Sequence, residues 1–415
     1  MEGYSIAVIG AGPAGMMSAI TAANFTSNVV LLEKNESLGK KLLISGKGRC
    51  NLTNIGSLDN FLEHFSSTGE FLRSAFNEFF NTQLLEFFEK EGLRLKIERG
   101  GRVFPINDKS SAVLAILRKE LKRLNVHLLY EAGVKDLRKE LLSWFIELSD
   151  SKVIKARRVI LATGAASYPL TGSTGDGFKI AAKLGHTIVP LRPGLVPLET
   201  KESWVRDLAG LSLKNIRISI SQADKKISSE IGEMIFTHFG VSGPLVLELS
   251  SKVIDWFSNS KQLTLKIDLK PGLTEEQLNN RLIRDFTNFG NRSLKNLLKE
   301  FLPKRLIDIC VEDCGIAANK KANQISSPER DNLIKFFKGW SLTLTRPRPL
   351  SEAIITKGGV CTKEINPRTM ESRLHEGLYF CGEIIDIDAD TGGYNLQAAF
   401  STGYLAGKNA AESLN

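Results

Sequence analysis

A strand that turns into a helix across three closely spaced glycines constrains this chain more than any other feature. Ser5-Ile6-Ala7-Val8-Ile9 is apolar and carries β-branched residues, as a strand buried on both faces does. It runs into Gly10-Ala11-Gly12-Pro13-Ala14-Gly15, and a helix-compatible run follows from Met16 to Asn24. Asn28-Val29-Val30-Leu31-Leu32-Glu33 then reads as a second strand that ends in an acid. Gly10 permits the tight turn, Gly12 lets the backbone approach a pyrophosphate, and Gly15 allows close helix–strand packing. The phosphates are expected on the helix N-terminus, where free N–H groups and the helix dipole favour anions. Glu33 follows Gly15 by 18 residues, where a carboxylate can meet an adenosine ribose. A glycine triplet alone is a weak signal. Strand, glycines, helix, strand and terminal acid together predict a dinucleotide site on a doubly wound α/β domain.

Three further segments bear on which dinucleotide. The stretch from Gly39 to Asn54 (GKKLLISGKGRCNLTN) holds four basic residues and no acid. Its glycines and its dense polar groups (Ser45, Arg49, Asn51, Thr53, Asn54) fit a loop that contacts the cofactor. Val159-Ile160-Leu161-Ala162-Thr163-Gly164 is an apolar strand that would bring the chain back to that cofactor. Gly377-Leu378-Tyr379-Phe380-Cys381-Gly382-Glu383 is another such strand. It leads into Gly392-Gly393-Tyr394-Asn395-Leu396-Gln397 and a segment of helical composition to Ala410. Glycines before a helix N-terminus offer backbone donors to a ring that gains negative charge on reduction. A nucleotide site that uses both chain ends fits FAD better than NAD.

These segments resemble one family, the YhiN/BaiN-like flavoproteins. The matching stretches are GAGPAG, GKKLLISGKGRCNLTN, GRVFP at 101–105 and ATGAASYPLTGSTGDGFKIAAKLGH at 162–186. Further on come GEMIFTHFGVSGP at 232–244, TKGGV, TMESR and GLYFCGEIIDIDADTGGYNLQAAFSTG. The resemblance spans essentially the whole chain, and Ala165 stands where a second glycine is expected. It implies an FAD-dependent oxidoreductase with FAD as cofactor and NAD(P)H as a transient electron donor. The contacts to FAD are then expected at Gly10, Gly12, Pro13, Ala14, Gly15, Glu33 and Lys34. Lys41, Ser45, Gly46, Arg49, Cys50, Asn51 and Thr53 follow in the basic loop. Val134, Ala162, Thr163, Gly164, Gly382, Glu383 and the run from Gly392 through Gly393, Tyr394, Asn395 and Leu396 to Gln397 complete the set.

The fold implied is α/β (α+β overall): a doubly wound, Rossmann-like FAD domain with an inserted β-rich domain and a small helical subdomain. The expected division is 1–190 with 346–415 for FAD, 191–272 with 339–345 for the β-rich part, and 273–338 for the helices. Residues 216–220 and 263–267 alternate as half-buried strands do, and Leu294, Leu297, Leu298 and Phe301 have helical spacing. Pro190, Pro193 and Arg346-Pro347-Arg348-Pro349 mark the crossings.

The remaining composition narrows function. The 415 residues hold no apolar run long enough for a membrane span, and no signal peptide is read. Five scattered cysteines predict no disulfide framework and a reducing cytoplasm. No second glycine fingerprint, CxxC pair or metal-ligand spacing is present, so no metal is expected. The formal charge of +9 suits an anionic partner.

Cys50 is the candidate proton donor, because cations nearby (Lys47, Arg49) lower a thiol pKa. Its bland alternative is a thiol that packs under the flavin ring. His238 is a second candidate, with a structural histidine as the plainer reading. Arg49, Arg102, Tyr168 and Tyr394 are candidate substrate contacts. Members of the family imply uridine in large-subunit ribosomal RNA as the leading substrate, reduced to dihydrouridine. A flavin oxidoreductase acting on a small alkene or amine is the alternative. A non-catalytic flavin- and RNA-binding protein is the third reading. The sequence leaves the oligomeric state open.

Overall fold

The computed structural model describes residues 3–66, 68–259 and 262–414. Contacts divide the chain into two units, Met1–Gly194 with Leu350–Asn415, and Leu195–Pro349.

The first unit is built on a seven-stranded sheet. Five of its strands are parallel, in the spatial order His127–Leu129, Val29–Leu32, Gly3–Ile9, Val153–Leu161, Leu378–Phe380. The long strand Val153–Leu161 pairs in its first half with the antiparallel hairpin Val134–Glu140 and Ser143–Leu148. Its second half pairs with Leu378–Phe380, so the C-terminal part of the chain completes the N-terminal sheet. Val29–Leu32 is buried at every position, as the apolar run of a parallel strand covered on both faces should be. Helix Pro13–Ala23 and the C-terminal helix Tyr394–Glu412 pack together over this sheet. A three-stranded sheet of Thr53–Asn54, Arg102–Pro105 and Leu95–Glu98 stands beside it. One hydrophobic core runs through the unit.

In the second unit an antiparallel sheet closes on itself. Strand Ser212–Gln222 pairs with Gly232–Phe236 through its first half and with Leu263–Asp268 through its second. Gly240–Ser242, Leu198–Thr200 and Trp340–Pro347 complete the ring. Closure leaves those strands no open edge. Helices Glu275–Asn288, Leu294–Leu298, Lys304–Asp313 and Ser327–Gly339 share one apolar core with this sheet. The N-termini of the two longer helices are well specified: Thr274 and Ser326 cap them through capping boxes with Gln277 and Glu329.

Candidate FAD site

The parallel strands place the expected residues at one end of the sheet. Gly3–Ile9 ends at Gly10, Val29–Leu32 at Glu33, Val153–Leu161 at Ala162-Thr163-Gly164, and Leu378–Phe380 at Cys381-Gly382-Glu383. Ligands of open α/β sheets bind outside the carboxyl ends of the strands.

At the first turn Gly10 takes φ +101°, and helix Pro13–Ala23 begins with Gly12 as its uncapped N-terminal residue. A Cβ on Gly15 would stand 1.8 Å from the Gly10 carbonyl oxygen, so only glycine lets the helix start this close to the strand. A Cβ on Gly12 would meet nothing within 4 Å, which leaves the approach to the helix N-terminus clear. Pro13 and Ala14 fill the first turn. Glu33 is 7% exposed; its Oε2 accepts the Ala11 N–H at 2.9 Å, and its Oε1 accepts the Asn35 N–H and Nδ2. An ionised carboxylate has about four acceptor positions. Oε2 thus retains one for a hydroxyl group.

The basic loop is held in an unusual backbone conformation. Gly46, Lys47, Gly48 and Cys50 all have positive φ, 56° to 84°, and two of them carry side chains. Left-handed non-glycine residues cost about 1–2 kcal/mol each and collect at functional sites. Lys41 Nζ donates to Ser167 Oγ at 2.7 Å and to Glu383 Oε2 at 2.6 Å, joining three of the loops that follow strand ends. Ser45 Oγ turns inward to the Leu42 carbonyl. Thr53 Oγ1 donates to Gln397 Oε1 at 2.6 Å, and a Cβ on Gly393 would lie 2.4 Å from the Thr53 backbone. The basic loop and the start of the C-terminal helix are therefore packed backbone to backbone. Asn395 holds the Ala389 N–H and the carbonyls of Ala389 and Asp390, while Gly392 and Leu396 flank it. Lys34 reaches Thr174 and Asp176, and a Cβ on Gly133 would touch its side chain, which sets Val134 near the Glu33 end.

The structure corrects one electrostatic expectation and places two further candidate side chains. Burial pushes the Cys50 thiol up to about 12, where the sequence reading expects neighbouring cations to lower it. The physical reason is that those cations face elsewhere. Lys47 is exposed, and Arg49 bonds Glu98 and Asp108 while its guanidinium lies 4.2 Å from the Phe104 ring centroid. Arg49 is thus neutralised within the protein. His238, finally, is exposed on a turn of the second unit and packs against its neighbour Phe239.

The substrate candidates divide. Arg102 is exposed, 5.8 Å from the Phe104 ring, with its Nε on the Arg99 carbonyl. Tyr168 is half-buried in a left-handed turn, and burial pushes its hydroxyl pKa up. Tyr394 is buried and stacked on His64, with ring centroids 4.1 Å apart. Sequence reasoning missed Ser167, His64 and Asp390. Each meets its partner across more than 100 residues, and no local motif signals such pairs. A separate cavity of about 740 Å³ opens beside the edge strand His127–Leu129, lined by Glu36, Arg118, Lys122 and Tyr130 among others. No expected site residue lines it.

Does this end of the sheet fit FAD? Two helix N-termini of eleven and nineteen residues present uncapped N–H groups. Glu33 keeps an acceptor position, and Gly12 keeps the approach open. Asn51 Oδ1 is buried and accepts no hydrogen bond from the described residues. A buried polar atom in that state awaits a donor. The donor set fits a dinucleotide with a polar ring.

The chain is 34% identical over 409 residues to 3-dehydro-bile acid delta(4,6)-reductase of Clostridium scindens, covering 98% of this chain and 99% of that one. It is 29% identical over 412 residues to ribosomal RNA dihydrouridine synthase of Escherichia coli, covering 99% and 98%. Among solved structures, 3-ketosteroid delta1-dehydrogenase from Sterolibacterium denitrificans shares the fold, with TM-score 0.52, 14% identity and 100% of both chains covered. The model described as HI0933-like protein Rossmann domain matches residues 4–409, and the chain belongs to that family, as an FAD-dependent oxidoreductase.

Proposed function

We propose that this protein reduces a C=C bond conjugated to a carbonyl, and that its substrate is a uridine of large-subunit ribosomal RNA. One observation carries the chemistry. Two relatives that match over nearly their whole length are named for saturation of such a bond, one in a bile acid and one in uridine. The polyanionic substrate is supported by the cations beside the basic loop. Arg99 and Arg102 flank the turn Gly100-Gly101, both are exposed, and neither pairs with a described carboxylate. That turn is anchored on the site: Asn54 Nδ2 donates to the Gly100 carbonyl, and the Ile55 N–H to that of Gly101. Phosphates on either side of an extruded base would meet these guanidinium groups.

Bound FAD supplies hydride transfer; the protein supplies position and electrostatics. The amides opening helix Pro13–Ala23 would hold the pyrophosphate, and Glu33 the ribose. The amides opening helix Tyr394–Glu412 would favour negative charge at the ring. NAD(P)H is proposed as the transient donor of electrons.

A steroid-like enone is the second reading, favoured by the 34% identity to the bile acid reductase. One experiment separates the two. The protein is reduced anaerobically and mixed with unmodified ribosomal RNA or with a 4-en-3-one steroid, and reoxidation of the flavin is followed by absorbance. Rapid reoxidation by RNA, with two hydrogens gained on one uridine, supports the RNA reading. Reoxidation by the steroid alone overturns it in favour of the enone. Binding of RNA without reoxidation by either would leave a flavin- and RNA-binding protein.

A further inference from the structure

We propose that Tyr394 is the catalytic proton donor of this reduction, held in place by His64 and Asp390; the inference rests on the C=C reading above. Its ring is fixed on three sides. A Cβ on Gly392 would stand 2.4 Å from the ring, so glycine there makes room for it. The edge of Phe61 meets it at a 4.8 Å centroid distance and 79°. His64 stacks on its face at 4.1 Å and 20°. His64 is itself tied to Asp390, Nδ1 to Oδ2 at 3.3 Å, and the Asp390 N–H donates to the His64 carbonyl at 3.0 Å.

The hydroxyl is the exception to this order. Tyr394 is only 5% exposed, yet its hydroxyl bonds to none of the described residues and is not sealed from solvent. A buried tyrosine ordinarily finds a hydrogen-bond partner. This one stands on the Gly392-Gly393 turn that packs against Thr53 and opens the C-terminal helix. Burial and the nearby Asp390 raise its pKa, which keeps the O–H bond intact at neutral pH. Cys50, by contrast, is fully buried.

The step balances as follows. The β-carbon of the conjugated system takes a hydride from the reduced cofactor. The electron pair of the C=C bond forms a C–H bond at the α-carbon with the proton of Tyr394, whose O–H bond breaks. The substrate gains two electrons and two hydrogens, the cofactor ends oxidised, and the tyrosinate recovers a proton from water. His64 is one-third exposed and stacked on the Tyr394 ring. It positions the ring and does not touch the substrate.

The test is Tyr394→Phe, which keeps the ring and its stacking. Whichever substrate the wild type reduces, RNA or steroid, is used in D2O. The variant should retain its flavin, keep KM within a few-fold and lose about 100-fold or more in kcat. Deuterium at the α-carbon should change from one face to both, because water then protonates at random. Wild-type turnover with single-face deuteration in the variant overturns the proposal and spares the C=C reading. Failure of the wild type on both substrates overturns the reading itself. A second readout needs no turnover: tyrosinate titration of the oxidised protein, wild type minus variant. A phenol that ionises above about 10 supports the donor role, and one already ionised at neutral pH overturns it. Asp390→Asn should lower kcat by a smaller factor and keep the deuterium on one face.

Discussion

Cys50 shows how adjacency in sequence can carry a wrong electrostatic inference. The sequence places a thiol between Lys47 and Arg49, and adjacency along the chain suggests a lowered pKa. The folded loop turns both charges outward, to solvent and to carboxylates 49 and 59 residues away in sequence. Burial then dominates and the thiol stays neutral. Cys50→Ala should therefore keep turnover within about tenfold of the wild type. It should cost about 1–2 kcal/mol of stability for the lost buried sulfur, read from the denaturant midpoint. A loss of turnover by a hundredfold with flavin retained would return the proton to the thiol. The glycines and Glu33 were legible because each obeys a constraint that acts within a few residues: a turn, a helix start, a strand end. The partners of Arg49 and Lys41 were not, because long-range ion pairs leave no trace in local sequence.

Elements repeat this contrast. The alternating runs at 216–220 and 263–267 are strands, Ser212–Gln222 and Leu263–Asp268, and the helical run after Gly393 is a helix. Alternation cannot reveal that Ser212–Gln222 changes partner midway and closes a ring, since closure depends on pairing across the whole unit. Two predictions belong here. Strand Thr53–Asn54 has only two residues, and its hold on the C-terminal helix passes through Gln397, which is fully buried and bonds Thr53, Ser401 and the Phe79 carbonyl. Gln397→Leu strips those partners and should destabilise the first unit by about 1–3 kcal/mol, with a lower Tm and weaker flavin retention. In the second unit Glu199 bonds Arg346 on the paired strand and Arg348 just beyond it, both at 2.7 Å. Burial raises its pKa, but the two guanidinium groups outweigh that and hold it below the ordinary range. The unfolded chain then binds the proton more tightly than the folded one. The stabilisation is complete above the ordinary value of about 4.3 and vanishes as pH falls through the lower folded value. Glu199→Gln should thus be less stable than the wild type at neutral pH and converge with it in acid. Parallel Tm curves at all pH values would show that the pair contributes nothing through ionisation.

At the scale of the molecule the question is what the charge of +9 is for. Most cations of the first unit are paired: Lys41 with Glu383, Arg49 and Lys96 with Glu98 and Asp108, Lys408 with Glu78. Those pairs serve the fold and add nothing to the field outside. Lys47, Arg99 and Arg102 are exposed and without a described acid partner, as Lys90, Arg118 and Lys122 also are, but they stand on the loop and turn attached to Asn54. Net charge in the sequence could not single these out; their position beside the basic loop does. A polyanion bound through Arg99 and Arg102 would release about two counterions at those contacts. Arg99→Gln with Arg102→Gln should therefore weaken binding of ribosomal RNA and reduce the slope of log affinity against log salt by about 1.5, in fluorescence anisotropy titrations. The same double variant should leave the KM for a 4-en-3-one steroid unchanged, because a neutral enone has no phosphate to lose. An unchanged salt slope would instead make these arginines ordinary solvated charges and shift the substrate toward the small enone.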